Sequence, residues 1–172
     1  MRWIEKKILF SASKVIVLSQ YMFNKVLEIH SYPEKKISKI PGGVDLNRFN
    51  FSMEGKSMAK SDLQLPINKT TFLTIRNLVP RMGLEGLIEA FFRSEILRGK
   101  GLLLIGGEGP LENLLKTMVD RYGLHKSIRF LGHIPDEDLP GIYQAADFFV
   151  LPTWKLEGFG LVILEARGRR WP

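Results

Sequence analysis

The 172-residue sequence contains no cysteine and three histidines. Without cysteine the chain forms no disulfide, carries no thiol nucleophile and builds no zinc–thiolate site, a composition typical of reducing compartments. The histidines have no identifiable partners for a metal cluster or a Ser-His-Asp arrangement. We therefore predict that the chain has no metal site and is cytoplasmic.

Long apolar runs are also missing. The longest uncharged apolar stretches fall far short of the roughly 20 residues that a membrane-spanning helix needs. Near the N-terminus, the apolar patch from Ile8 to Phe10 is too brief for a signal-peptide core, and Glu5 interrupts the basic residues before it. The sequence predicts neither a membrane span nor secretion.

The charge is unbalanced, with a formal net charge of +7. Such a surplus is compatible with a nucleic-acid or anionic-membrane partner. The basic residues are scattered, however, and no basic stripe alternates with aromatic residues. Local clusters occur at Lys6-Lys7, Lys35-Lys36 and Arg167 to Arg170. We expect no nucleic-acid partner, and a basic nucleic-acid-binding module remains the weakest of the alternatives.

From about Lys69 onward, short apolar runs alternate four times with segments of helical periodicity. The pairs are 71–75 with 84–97, 102–105 with 111–122, 128–131 with 137–145, and 148–151 with 161–166. Alternation of this kind predicts an α/β fold with a Rossmann-like, doubly wound parallel sheet.

The part before Lys69 divides into two segments. Residues 1–49 hold two short strands, 14–19 and 36–40, on either side of an amphipathic helix at 20–30. They end in a glycine turn. Residues 50–68 are polar and poorly periodic, so we predict that they form a linker to a domain at 69–172.

The last strand–helix pair carries two carboxylates. The apolar run 148–151, stopped by Pro152, predicts a strand that is buried on both faces, and a loop then leads to a helix starting near Leu161. Ligands of parallel sheets bind outside the carboxyl ends of the strands, where helix-start N–H groups favour anions. Glu157 and Glu165 lie eight residues apart and can face one crevice. On spacing alone, an exposed loop acid and a helix-surface acid are the simpler interpretation.

The sequence words L-P-T and E-G-F-G-L-V-I-L-E-A, at 151–153 and 157–166, resemble the nucleotide-sugar site of retaining glycosyltransferases of family four. These group 1 glycosyltransferases share the two-domain GT-B fold. Their signature is two glutamates separated by seven residues, which Glu157 and Glu165 match. The turn P-G-G-V-D-L-N-R-F, at 41–49, resembles the word that closes the family's acceptor domain, and the resemblance extends from about Lys14 to Ala166.

The resemblance implies roles for this segment. Glu157 would contact the donor sugar as the catalytic residue, and Glu165 would hold the ribose hydroxyls. The backbone between them would lie against the sugar and the diphosphate, through Gly158, Phe159, Gly160 and Leu161.

Two further loops carry implied donor contacts. In the loop 76–83, Arg76 matches the family's diphosphate-binding arginine, but Met82 stands where a lysine is common, and Arg81 is a candidate for the second charge. In the loop G-G-E-G-P at 106–110, Gly107 would let the backbone approach the ligand. On residue types alone, surface arginines and a simple tight turn explain both loops as well.

The implied function is transfer of a sugar from a UDP- or GDP-sugar to an acceptor hydroxyl with retained configuration, in cell-surface polysaccharide or glycolipid synthesis. No cofactor is implied. The partners would be the nucleotide sugar and a sugar or lipid-linked acceptor, with peripheral association at the inner membrane face through the missing domain. The chain would be a fragment, inactive alone, made of an acceptor-domain tail, a linker and a truncated donor domain. A non-catalytic nucleotide-binding remnant is the main alternative.

Overall fold

The computed structural model describes residues 2–154 and 158–168. These residues divide into two units, 2–43 with 158–161, and 44–154 with 162–168. The division falls between Gly43 and Val44, inside the segment 1–49. In the part of the chain that the structure describes, no helix has the length and apolar character needed to cross a bilayer.

The first unit is a small α/β arrangement. Its elements are α1 (Arg2–Ser11), β1 (Val15–Val17), α2 (Gln20–His30) and β2 (Ile37–Lys39). The two strands are parallel, with Val15 opposite Ile37. Helix α2 begins as predicted because the Ser19 hydroxyl accepts a hydrogen bond from the Met22 N–H, which satisfies one N-terminal donor.

The second unit is the predicted parallel sheet. Its strands are β3 (Thr70–Ile75), β4 (Gly101–Gly106), β5 (Ile128–Gly132) and β6 (Phe148–Phe149), in the order β5-β4-β3-β6. Its helices are α3 (Met53–Asp62), α4 (Leu84–Arg93), α5 (Glu95–Lys100), α6 (Glu112–Arg121) and α7 (Leu139–Ala145), with most of α8 (Leu161–Gly168). All the strand pairs are parallel, which confirms the α/β class.

Hydrophobic cores lie on both faces of this sheet. Strand β4 is buried along its whole length, with Leu102 and Leu104 in one core and Leu103 and Ile105 in the other. Burial on both faces explains why its sequence is continuously apolar instead of alternating. Side chains of α3, α7 and α8 complete the first core, and side chains of α4 and α6 complete the second.

The predicted helix 84–97 is two helices, because the chain is extended at Ser94 (φ −98°, ψ 113°). The Ser94 hydroxyl accepts from the Leu97 N–H and caps α5. A serine inside an otherwise periodic segment was the sequence signal for this break.

The prediction that 148–151 is a strand buried on both faces is wrong. Strand β6 is two residues long and lies at the edge of the described sheet, where it pairs with β3 alone. Phe148 is 50% exposed, and its ring stacks on Phe72 at 5.3 Å between centroids. An apolar run predicts a strand, but it does not show how many neighbouring strands cover it.

The predicted linker, 50–68, contains helix α3 and belongs to the second unit. The Ser52 hydroxyl caps the helix by accepting from the Gly55 N–H at 3.0 Å. The helix contributes a small apolar residue, Ala59, to the core, and its lysines pair with a distant carboxylate. With so few large apolar residues, the helix has little periodicity in the sequence.

Candidate functional site

The strand order places a topological switch point between β3 and β6. From β3 the chain proceeds outward through β4 to β5 and then returns to the opposite side of β3 as β6. The loops that follow β3 and β6 therefore leave neighbouring strands in different directions. A crevice forms at such a point, outside the carboxyl ends of the strands, and it is where open α/β sheets bind ligands.

The two loops at the switch point are fixed to each other. The Trp154 N–H donates to the Arg81 carbonyl at 3.1 Å. Gly83, the N-cap residue of α4, lies in the left-handed region (φ 69°), and a Cβ there would lie 2.0 Å from the Pro152 carbonyl oxygen. Only glycine meets both requirements without strain. The sequence motif includes this glycine but does not show that the opposite loop requires it.

Arg76 lies at the end of β3, where its backbone N–H donates to the Gly106 carbonyl at 2.9 Å. The residue is 8% exposed, and its guanidinium Nε and Nη2 donate to the Met82 sulfur at 3.3 and 2.7 Å. The residue that replaces the common lysine is thus a direct neighbour of the arginine. The Arg81 side chain, in contrast, is exposed on the loop.

The glycine loop after β4 closely approaches Arg76. Gly107 has a φ of 111°, and a Cβ at this position would lie 2.0 Å from the Arg76 carbonyl oxygen. The Gly107 N–H donates to the Gly132 carbonyl at 2.7 Å, and the Leu78 N–H donates to the Glu108 carbonyl at 2.9 Å. The ends of β3, β4 and β5 are therefore joined by backbone hydrogen bonds beyond the regular ladder.

Glu165, on α8, accepts a hydrogen bond at Oε2 from the Tyr143 hydroxyl at 2.7 Å. Burial first, and then this hydrogen bond, raise the pKa of Tyr143 above its ordinary range, while the charge of Arg76 acts in the opposite direction. Tyr143 therefore stays a protonated donor at neutral pH. Sequence reasoning missed this residue because its position in α7 fits an apolar core, although a buried tyrosine usually has a hydrogen-bond partner.

The surroundings of Glu165 include an ion pair and a small pocket. The Arg48 guanidinium forms an ion pair with Asp136 at 2.8 Å (Nη2 to Oδ2). The hydrogen bond that Arg48 donates to the Asp136 side chain foremost, and the negative charges of Asp136 and Glu165 in addition, raise the pKa of Arg48. A small pocket beside Glu165 is lined by Phe49, Asn50, Pro140, Tyr143, Gln144 and Glu165.

The predicted site residues fall into three groups. The second unit contains Arg76, Arg81, Gly107 and Glu165. Within it, Gly107 closely approaches the Arg76 carbonyl, and the charges of Arg76 and Glu165 both affect the pKa of Tyr143. The first unit contains Gly158, Phe159, Gly160 and Leu161. Glu157, the predicted catalytic residue, lies outside the described residues.

The chain is similar in sequence to one protein family over most of its length. The family model described as "Glycosyl transferases group 1" matches residues 56–170. The chain is 29% identical over 185 residues to O-antigen chain mannosyltransferase B of Escherichia coli, covering 96% of this chain and 44% of that protein. It is 31% identical over 170 residues to mannosylfructose-phosphate synthase of Agrobacterium fabrum, covering 94% and 37%. The chain therefore spans less than half the length of these relatives.

Solved structures give the same result for the fold. The sucrose-phosphate synthase structure from Thermosynechococcus elongatus superimposes with a TM-score of 0.80 at 29% identity, covering 96% of this chain and 41% of that one. The structure of Anabaena HepE in complex with UDP and glucose superimposes with a TM-score of 0.81 at 24% identity, covering 91% and 42%. The fold is accordingly the GT-B type.

Proposed function

Because this chain belongs to the glycosyl transferases group 1 family, we propose that its second unit binds the nucleotide part of a sugar donor in the crevice between β3 and β6. The observation that carries the proposal is the position of Arg76 at the end of β3, at the switch point, together with a Glu165 carboxylate that α8 presents and the Tyr143 hydroxyl holds at 2.7 Å. A guanidinium suits a diphosphate, and a carboxylate suits a pair of ribose hydroxyls.

The whole protein would transfer a hexose from a UDP- or GDP-sugar to an acceptor hydroxyl, with retention, in polysaccharide or glycolipid synthesis. The names of the relatives support transfer of a hexose, since they include a mannosyltransferase and a mannosylfructose-phosphate synthase. Glu157 would contact the donor sugar. That role comes from the family resemblance alone.

The protein's contribution to such a reaction would be electrostatic. As the bond between sugar and diphosphate breaks, negative charge develops on the leaving group, and fixed positive groups stabilise that charge. Arg76 is held by packing at the end of β3. The thioether of Met82 is a weak acceptor, so a phosphate oxygen can displace it from the guanidinium at little cost.

Replacing Glu165 with alanine tests the proposal. We expect affinity for UDP or GDP to fall about tenfold to a hundredfold, because a hydrogen bond to a charged group is worth roughly 1.5–3 kcal/mol. Titration calorimetry and thermal shift with UDP, GDP and ADP measure the change. Glu89→Ala, on the exposed side of α4 where Glu89 pairs with Arg93, is the matched control.

Glu157→Ala should spare the free nucleotide and weaken the nucleotide sugar only. If Glu165→Ala leaves nucleotide affinity unchanged in a folded protein, Glu165 is a helix-surface acid and the proposal is wrong. Equal losses of nucleotide and nucleotide sugar in Glu157→Ala would contradict the division of roles between the two glutamates.

A second prediction concerns the methionine beside Arg76. Met82→Lys should strengthen binding of UDP about threefold to tenfold, because it adds a charge-assisted hydrogen bond to the diphosphate. Binding of uridine, which lacks phosphate, should not improve. The free protein should melt at a lower temperature, since Met82 is 5% exposed and a lysine there would desolvate its charge beside Arg76. Met82→Leu is the control, and equal changes for UDP and uridine would contradict the prediction.

A further inference from the structure

We propose that Tyr143 is a positioning residue of the nucleotide site. Its hydroxyl holds the Glu165 carboxylate in the orientation that accepts hydrogen bonds from both ribose hydroxyls. The inference rests on the proposed function and deepens it. It assigns a role to a core residue of α7 that lies outside every sequence motif of the site.

The tyrosine is well fixed. It is 4% exposed, and its ring packs edge-on against Phe49 at 5.7 Å and at an inclined angle against Phe149 at 5.6 Å between centroids. A tyrosine has only two side-chain torsions, and packing on two rings restricts both of them. The hydroxyl therefore has a defined place, 2.7 Å from Glu165 Oε2.

Glu165 needs such a partner. A glutamate side chain has three torsions, and this one is partly exposed. Each carboxylate oxygen accepts about two hydrogen bonds. With Tyr143 occupying one position on Oε2, both oxygens can still accept a hydroxyl, so the contact orients the carboxylate without filling it.

The neighbouring charges act on Glu165 differently from the hydroxyl. Arg48 is engaged with Asp136 at 2.8 Å, so its charge reaches Glu165 through space. A through-space charge attracts a carboxylate but does not set its rotation, whereas a directed hydrogen bond does.

The test compares ligands with and without ribose hydroxyls. Tyr143→Phe keeps the ring and its packing and removes the donor. We expect UDP or GDP, whichever binds the wild type, to bind about threefold to tenfold more weakly, and the 2′,3′-dideoxy form of the same nucleotide to bind unchanged. In a Glu165→Ala background, Tyr143→Phe should have no further effect, because the group that it positions is gone.

Tyr32→Phe is the matched control. Tyr32 is 2% exposed and its hydroxyl donates to the Ala12 carbonyl at 3.2 Å, in the first unit. Removing this hydroxyl should lower the free energy of unfolding without changing the preference for nucleotides that carry ribose over their dideoxy forms. A residue with a purely structural role would behave like Tyr32, with equal effects on both ligands.

The outcomes separate the two ideas. If Glu165→Ala weakens binding but Tyr143→Phe does not, or if Tyr143→Phe weakens both ligands equally, the positioning role is wrong and the proposed site stands. If the wild type binds neither UDP nor GDP, the proposed function fails and the positioning role fails with it. Should Tyr143→Phe not fold, Phe49→Leu decides, because it loosens the ring while keeping the hydroxyl, and an unchanged ribose preference there overturns the inference.

Discussion

Asp147→Asn is expected to lower the free energy of unfolding by about 2–4 kcal/mol, because it removes the carboxylate of a partly buried ionic cluster, and breaking a fully buried pair costs about 3–5 kcal/mol. The Asp147 carboxylate pairs with Lys60 at 2.9 Å and with Lys56, and its Oδ2 accepts from the Thr71 N–H at 2.7 Å. The lysine side chains are 19% (Lys56) and 10% (Lys60) exposed. Without the carboxylate, both cations remain poorly solvated and uncompensated.

The contribution of this cluster depends on pH. Burial by itself raises the pKa of Asp147, but the hydrogen bonds from Lys56, Thr71 and Lys60 together bring the pKa below its ordinary value. A carboxyl group whose pKa is lower in the folded state stabilises the protein fully above about pH 4, its pKa in the unfolded chain, and loses this contribution as the pH falls through the folded value. The wild type should therefore lose stability in acid more steeply than Asp147→Asn.

Urea denaturation at pH 7 and at pH 3 measures both effects. Glu28→Gln is the matched control, because it breaks the exposed Lys25–Glu28 pair of 2.6 Å, which water and salt screen, and it should change stability little. For a chain of this size each kcal/mol shifts the melting temperature by about 2–4 °C. If Asp147→Asn costs no more than Glu28→Gln, the cluster does not join α3 to the sheet.

The Asp147 cluster also shows why part of this fold escaped prediction. Strand β4, helix α2 and helix α6 could be predicted because their periodicity is local and their apolar residues are large. Helix α3 could not, since it is held by its cap and by ion pairs to a residue about 90 positions later in the chain. No local pattern encodes such a partner.

In the candidate site, too, the sequence predicts where some residues lie but not which residues they contact. Arg76 and Gly107 follow directly after apolar strands, so their place at the carboxyl edge could be inferred from the sequence. The side chains that contact the site residues could not be inferred from the sequence. The contact between Met82 and Arg76 depends on the path of the loop that holds both residues, and the hydrogen bond from Tyr143 to Glu165 depends on how α7 packs beside α8.

Gly107→Ala is expected to damage stability and nucleotide binding together. A φ of 111° strains any L-residue, at about 1–3 kcal/mol, and the added Cβ would lie 2.0 Å from the Arg76 carbonyl oxygen and 2.9 Å from its carbon. Backbone atoms cannot rotate away, so the end of β3 must move, at a further cost of about 1–3 kcal/mol. We expect the free energy of unfolding to fall by about 2–6 kcal/mol. Moving Arg76 should also weaken UDP binding more than tenfold.

Gly123→Ala separates strain from collision. Gly123 also has a positive φ, 64°, but nothing lies within 4 Å of the position of its Cβ. The substitution should therefore cost only the left-handed strain, about 1–2 kcal/mol, and leave nucleotide affinity unchanged. Urea denaturation and UDP titration of the two variants give the comparison. Equal destabilisation of the two variants would mean that a Cβ at position 107 does not collide with the end of β3. Normal UDP affinity in a folded Gly107→Ala variant would mean that the position of Arg76 does not govern donor binding.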